Sequence, residues 1–101
     1  MEAQVKRWHL YVVACTDDTL YTGVSTDVDR RIGDHNGGLR GAKYTRSRRP
    51  VTLVASWGPF DRVTAHQLEY RLKRCSRALK LSICETGDLE AALPPHQAQT
   101  S

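Results

Sequence analysis

The longest uninterrupted apolar run in this chain is Leu10–Cys15, six residues. Six residues make one buried strand, far short of the roughly 20 apolar residues that carry a helix across a bilayer. No membrane-spanning element is therefore expected. At 101 residues, two separate cores would leave each half too small to hold itself together, so one domain is expected. Hydrophobic content of 40% and charged content of 26% fit a globular chain and set aside a disordered one. No basic start leads into an apolar stretch with a small-residue cleavage site, so no signal peptide is read. Cys15, Cys75 and Cys84 are odd in number and widely spaced, which offers no disulfide framework and fits a reducing cytoplasm. His9, His35, His66 and His96 lack zinc-site spacing.

Around that apolar run the elements can be placed in order. Trp8–Cys15 reads as a strand with Trp8, Leu10, Val12 and Ala14 on one face and His9, Tyr11 and Val13 on the other. Thr16-Asp17-Asp18-Thr19 is turn chemistry, and Leu20–Val24 returns as the second strand of a hairpin. Ser25-Thr26-Asp27 offers helix N-caps for a helix of about ten residues, which Asn36-Gly37-Gly38 ends through a left-handed glycine. Leu39–Pro50 reads as a basic loop, and Val51–Trp57 as a third strand stopped by Gly58-Pro59. Thr64-Ala65-His66-Gln67 resembles a capping box that opens a helix bearing Ala65, Leu68, Leu72 and Cys75 on one face. Ser76 caps a further turn or two, Gly87–Leu93 is a candidate short helix, and Pro94–Ser101 reads as a loose tail. The pattern predicts an α+β fold of order β-β-α-β-α-α: a small three-stranded mixed or antiparallel sheet flanked by helices. Residues 1–7 are expected as a flexible N-terminus, 8–84 as the domain, and 85–101 as the short helix and tail.

Charge is unevenly spread. Seven bases lie between Arg30 and Arg49 against one acid, Asp34, and five more lie between Arg71 and Lys80 with no acid. These two segments hold twelve of the fifteen Lys and Arg residues, in a chain of net charge +4. Clustered bases suit a polyphosphate partner, whose condensed counterions are released on binding. Solvated helix faces and loops would give the same pattern.

Several of these residues together resemble a known family. Leu10-Tyr11-Val12 on the first strand, followed by Tyr21-Thr22-Gly23 on the second, resembles the GIY-YIG nuclease signature. Arg31 and His35 on the first helix fall where that family places its arginine and its tyrosine or histidine. Gly41-Ala42-Lys43-Tyr44-Thr45-Arg46 resembles the basic loop of its small stand-alone bacterial branch. Glu69-x-x-Leu72-Lys73 resembles its metal-binding glutamate and the residues after it. There are departures: Tyr11 lacks the flanking Gly and Ile, Val24 stands where many members have lysine, and a late asparagine has no clear counterpart.

The resemblance implies a metal-dependent endonuclease acting on DNA, single-stranded or branched in preference to plain duplex; the sequence leaves the oligomeric state, monomer or weak dimer, open. It implies Tyr11 as general base, Tyr21 as an orienting hydrogen-bond donor, and Glu69 as the ligand of one Mg²⁺ or Mn²⁺ ion. Arg31 offers a planar fork for a phosphate, and His35 could donate to phosphate or assist proton transfer. A phenol is a poor base near its usual pKa of about 10, so cations such as Arg31 are expected to lower it. Gly23 would let backbone approach a phosphate. Arg30, Lys43, Arg46, Arg48, Arg49 and Lys73 would track the nucleic-acid backbone, with Tyr44 available to stack on a base. The residue types alone admit plainer roles: core aromatics for Tyr11 and Tyr21, an i,i+4 surface pair for Glu69 and Lys73, and an Arg30–Asp34 pair beside a solvated Arg31. Two other functions share the fold, a nucleic-acid-binding module whose catalysis has lapsed and a subunit of a repair complex.

Overall fold

The structure is a computed structural model that describes residues 6–38 and 40–89. Its sheet has three antiparallel strands in the order β2-β1-β3: β1 is Trp8–Ala14, β2 is Leu20–Ser25 and β3 is Thr52–Phe60. The β1–β2 hairpin closes as its turn residues dictate. Asp17 Oδ1 accepts from the Thr19 amide at 3.2 Å and the Thr19 hydroxyl at 2.6 Å, and Asp18 takes the left-handed conformation.

Helix α1 (Val28–Asn36) starts on Asp27, whose side chain accepts from the Arg30 amide at 3.1 Å. Its end differs from expectation in one detail. Gly37 is extended, and Gly38 is the residue with positive φ. The basic segment is also more ordered than a loop, since Lys43–Arg46 forms the one-turn helix α2. Gly41 permits this: a Cβ there would sit 2.7 Å from the Asp34 carbonyl oxygen and 2.8 Å from the His35 Cα.

Strand β3 does not stop at Gly58-Pro59 but pairs on to Phe60, which lies opposite Trp8. The register shifts between Trp8 and Leu10, and β3 is an edge strand, so a residue without an N–H costs no ladder bond on its outer side. Helix α3 (Arg62–Lys73) begins two residues before Thr64. Its cap is Asp61, whose carboxylate accepts from the Thr64 amide at 2.8 Å and the Thr64 hydroxyl at 3.1 Å. Ser76 caps α4 (Arg77–Thr86), and left-handed Gly87 ends it. Most of the expected Gly87–Leu93 helix, the tail and residues 1–5 lie outside the described residues.

The strand alternation separates two layers. Leu10 and Val12 pack with Leu68 and Leu72 of α3, Ile83 of α4 and Leu89. Tyr11, Val13 and Cys15 face the other way, against Val51, Val28 and Ile32. Each core aliphatic contributes about 1.5–3 kcal/mol by leaving water. Trp57 belongs to the first layer, and its Nε1 donates to the Gly87 carbonyl at 3.0 Å.

Candidate active site

On the α1 side of the sheet, Tyr11 pairs with Gly23 and Val13 with Tyr21, so both tyrosines stand on one face, offset by one residue pair. The Tyr11 ring lies over Gly23: a Cβ at that position would meet the Tyr11 hydroxyl at 2.5 Å and Cζ at 2.7 Å. The glycine was expected to admit a phosphate; its missing side chain admits Tyr11 instead. Gly23→Ala is accordingly expected to cost about 1–3 kcal/mol through overpacking and to displace the phenol. A denaturant melt run beside near-UV circular dichroism checks it, and an unchanged melt would mean that the ring has room to yield.

Tyr11 and His35 are fully buried and joined, Oη to Nε2, at 2.8 Å. The other ring nitrogen of His35 lies 2.9 Å from the hydroxyl of buried Thr45. Tyr21 meets the His35 ring edge-on at 5.2 Å and stacks on Tyr44 at 5.8 Å. Two cations flank this aromatic row: Arg48 lies over Tyr44 at 4.0 Å and Lys73 over Tyr21 at 5.9 Å. Glu69 comes from α3, which packs on the opposite face, and pairs through Oε2 with Lys73 at 3.2 Å. The site therefore forms at the β2 edge, where α1 and α3 approach from opposite faces.

The GIY-YIG catalytic domain matches residues 7–82. The chain belongs to the GIY-YIG family. It is 44% identical over 81 residues to a UPF0213 protein of Desulfotalea psychrophila, a match covering 80% of this chain and 74% of that one. A UPF0213 protein of Halobacterium salinarum is 51% identical over 72 residues, covering 71% of this chain and 92% of that one. The solution structure of a UPF0213 protein from Bacillus halodurans superposes with a TM-score of 0.51 at 43% identity, covering 78% of this chain and 83% of that one. The small single-domain branch of this nuclease family is thus the right one.

Within this GIY-YIG domain, the electrostatics of Tyr11 run against the sequence expectation. Burial pushes its phenol up to about 12, the neighbouring Tyr21 adds to that, and the hydrogen bond and charge of Arg31 offset only part of it. Burial also holds His35 below the usual histidine value, helped by the Arg31 and Arg49 charges and opposed by Asp34. The free protein therefore has a protonated phenol beside a neutral imidazole at neutral pH.

The cations divide into two groups. It is Arg31, not Arg30, that pairs with Asp34, at 3.7 Å, while its Nη1 donates to the Arg40 carbonyl at 2.7 Å. Arg49 donates to the carbonyls of His35 and Gly38, closing the C-terminal end of α1. Arg48 binds Asp17 at 2.9 Å and the Tyr44 carbonyl at 2.7 Å, tying the hairpin turn to α2. Arg48 and Arg49, expected on the nucleic-acid backbone, thus hold the site together. Arg30, Lys43 and Arg46 are exposed. Val24 faces the apolar core with its partner Leu10, away from Tyr11.

Two contributors went unnoticed in the sequence. Thr45, hidden among cations, sits against His35, and Asn36 clamps Val51 through Nδ2 to its carbonyl at 3.0 Å and Oδ1 to its amide at 2.6 Å. An uncharged polar residue inside a run of bases is the one local sign of Thr45; nothing local marks Asn36. Among the described residues no three His, Cys, Asp or Glu side chains gather as a metal cluster. Glu69 offers one carboxylate within electrostatic reach of Tyr11. A single hard oxygen ligand fits Mg²⁺ or Mn²⁺, since Mg²⁺ keeps most of its waters and shares substrate phosphates.

Proposed function

We propose that the protein is a metal-dependent endonuclease that hydrolyses phosphodiester bonds in DNA, single-stranded or branched in preference to duplex. The observation that carries this reading is the buried 2.8 Å contact between the Tyr11 hydroxyl and His35 Nε2. A phenol that stays protonated in the free protein is a base only if its own proton leaves as another arrives. In the proposed step, Tyr11 Oη takes a proton from the attacking water while its proton passes to His35 Nε2. Arg31 presents its guanidinium to the scissile phosphate, where charge develops. Tyr21 orients the water or the phosphate. Glu69 would hold the one Mg²⁺ or Mn²⁺ ion, and Lys73 beside it would turn toward substrate. When bound, that ion supplies charge neutralisation on the phosphate and help for the departing oxygen. Exposed Arg30, Lys43 and Arg46 would position the strand without reading bases. The test is Mg²⁺- or Mn²⁺-dependent nicking of labelled single-stranded, forked and duplex oligonucleotides. Binding without nicking by the purified, folded protein would favour the lapsed binding module instead.

Two further results are expected. The slope of log affinity against log salt should flatten by roughly one to two units in Arg30→Ala/Lys43→Ala, at about 0.7 per lost contact for single strands and 0.9 for duplex. A salt titration with two unrelated sequences measures this, and an unchanged slope would exclude both side chains from the interface. Acidification should also silence the enzyme. Because the folded histidine titrates below its unfolded value of about 6.5, the neutral ring contributes stability that is complete above that pH. That stability is lost as pH falls toward the folded value. Cleavage should fall lower on the pH scale, as pH passes through the folded value itself, since an imidazolium has no lone pair for the Tyr11 proton. A pH–rate profile with a parallel melt series checks both, and His35→Gln should flatten the acid limb of the melt.

A further inference from the structure

We propose that Thr45 is a positioning residue, whose hydroxyl holds His35 in the tautomer that keeps Nδ1 protonated and leaves Nε2 bare toward Tyr11. The inference rests on the nuclease reading above for its consequence, though not for its geometry. A threonine hydroxyl has one hydrogen to give. Here Thr45 Oγ1 is 3.0 Å from the Ala42 carbonyl oxygen, which can only accept, and 2.9 Å from His35 Nδ1. With the hydrogen on the carbonyl, Oγ1 turns a lone pair to Nδ1, which must then be the donor. The Ala42 amide, which would favour the opposite tautomer by donating to Nδ1, is 3.4 Å away and at the weak end of the range.

Thr45 and His35 are both fully buried, so no water competes for these positions. The bonds then run in one direction: Tyr11 O–H to His35 Nε2, His35 Nδ1–H to Thr45 Oγ1, and Thr45 O–H to the Ala42 carbonyl. When His35 takes the Tyr11 proton it becomes an imidazolium, and its Nδ1–H keeps the same acceptor. No hydroxyl has to rotate for that charge to be accommodated. In the other tautomer Nε2–H would point at Tyr11 and block the transfer.

The experiment follows ring-nitrogen chemical shifts in ¹⁵N-histidine-labelled protein, with His35 assigned by difference against His35→Gln, in wild type, Thr45→Val and Thr45→Ser. Wild type and Thr45→Ser are expected to show a protonated Nδ1 and a bare Nε2. Thr45→Val, matched in shape but unable to accept, is expected to move the proton toward Nε2. Single-turnover cleavage should fall about 10- to 100-fold in Thr45→Val, with DNA affinity unchanged, and be kept in Thr45→Ser. A wild-type ring protonated on Nε2, or an unchanged tautomer in Thr45→Val, would overturn the proposal. If Thr45→Val does not fold, the wild-type and Thr45→Ser spectra decide it alone. A folded wild type that binds DNA but never cuts would overturn the nuclease reading, and the spectra would still uphold or overturn the role of Thr45.

Discussion

Glu69→Ala is expected to remove cleavage, leaving less than about 1% of the wild-type rate, while the fold stays almost as stable. The two effects separate because the carboxylate does little for the folded state. Its partner Lys73 is half exposed, with a side-chain exposure of 49% against 19% for Glu69. A pair so open to water is worth about 0.2–1 kcal/mol. The chemistry loses more, since a phosphodiester cleaved without its cation faces uncompensated charge on phosphate and leaving group. Cleavage rates, a thermal melt and calorimetric titration with Mg²⁺ measure the three parts. Turnover of more than a few per cent in a folded variant would remove Glu69 from the metal role.

Tyr11→Phe is the second large effect. The variant keeps the ring that fills the space over Gly23, so packing with Val13 and Val51 survives. It loses the hydroxyl that bonds His35 Nε2 and leaves that buried ring nitrogen without its partner, a cost of about 1–3 kcal/mol. The rate should fall by about 10²–10⁴, the range for removal of a general base, with DNA affinity nearly unchanged because the phenol is buried. Affinity falling in step with rate would recast Tyr11 as a binding or structural residue.

Local chemistry accounts for much of the architecture. The period-two alternation of β1 is enough to send Leu10 and Val12 to one layer and Tyr11 and Val13 to the other, as observed. Asp17, Asp27 and Ser76 bond to amides two or three residues away, so the turn and two helix starts could be read in place. The same reasoning missed where short-range signals compete. Thr64 looked like a cap, yet Asp61 reaches both its amide and its hydroxyl and starts α3 sooner. Gly58-Pro59 looked like a stop, yet an edge position with a register shift tolerates both residues.

What the sequence by itself determined is the three strands and the three longer helices, their order, the faces of β1 and the family they compose. What only the tertiary structure decided is which polar groups meet. Tyr11 and His35 stand 24 positions apart and touch because α1 packs on the tyrosine face through Val28 and Ile32. Glu69 reaches the same edge from the opposite layer, and Arg48 and Arg49 turn inward to the Tyr44, His35 and Gly38 carbonyls. Periodicity and capping act over a few residues and leave a signature there. The direction of a long side chain, and the desolvation that raises one phenol and lowers one imidazole, depend on what the rest of the chain packs against it.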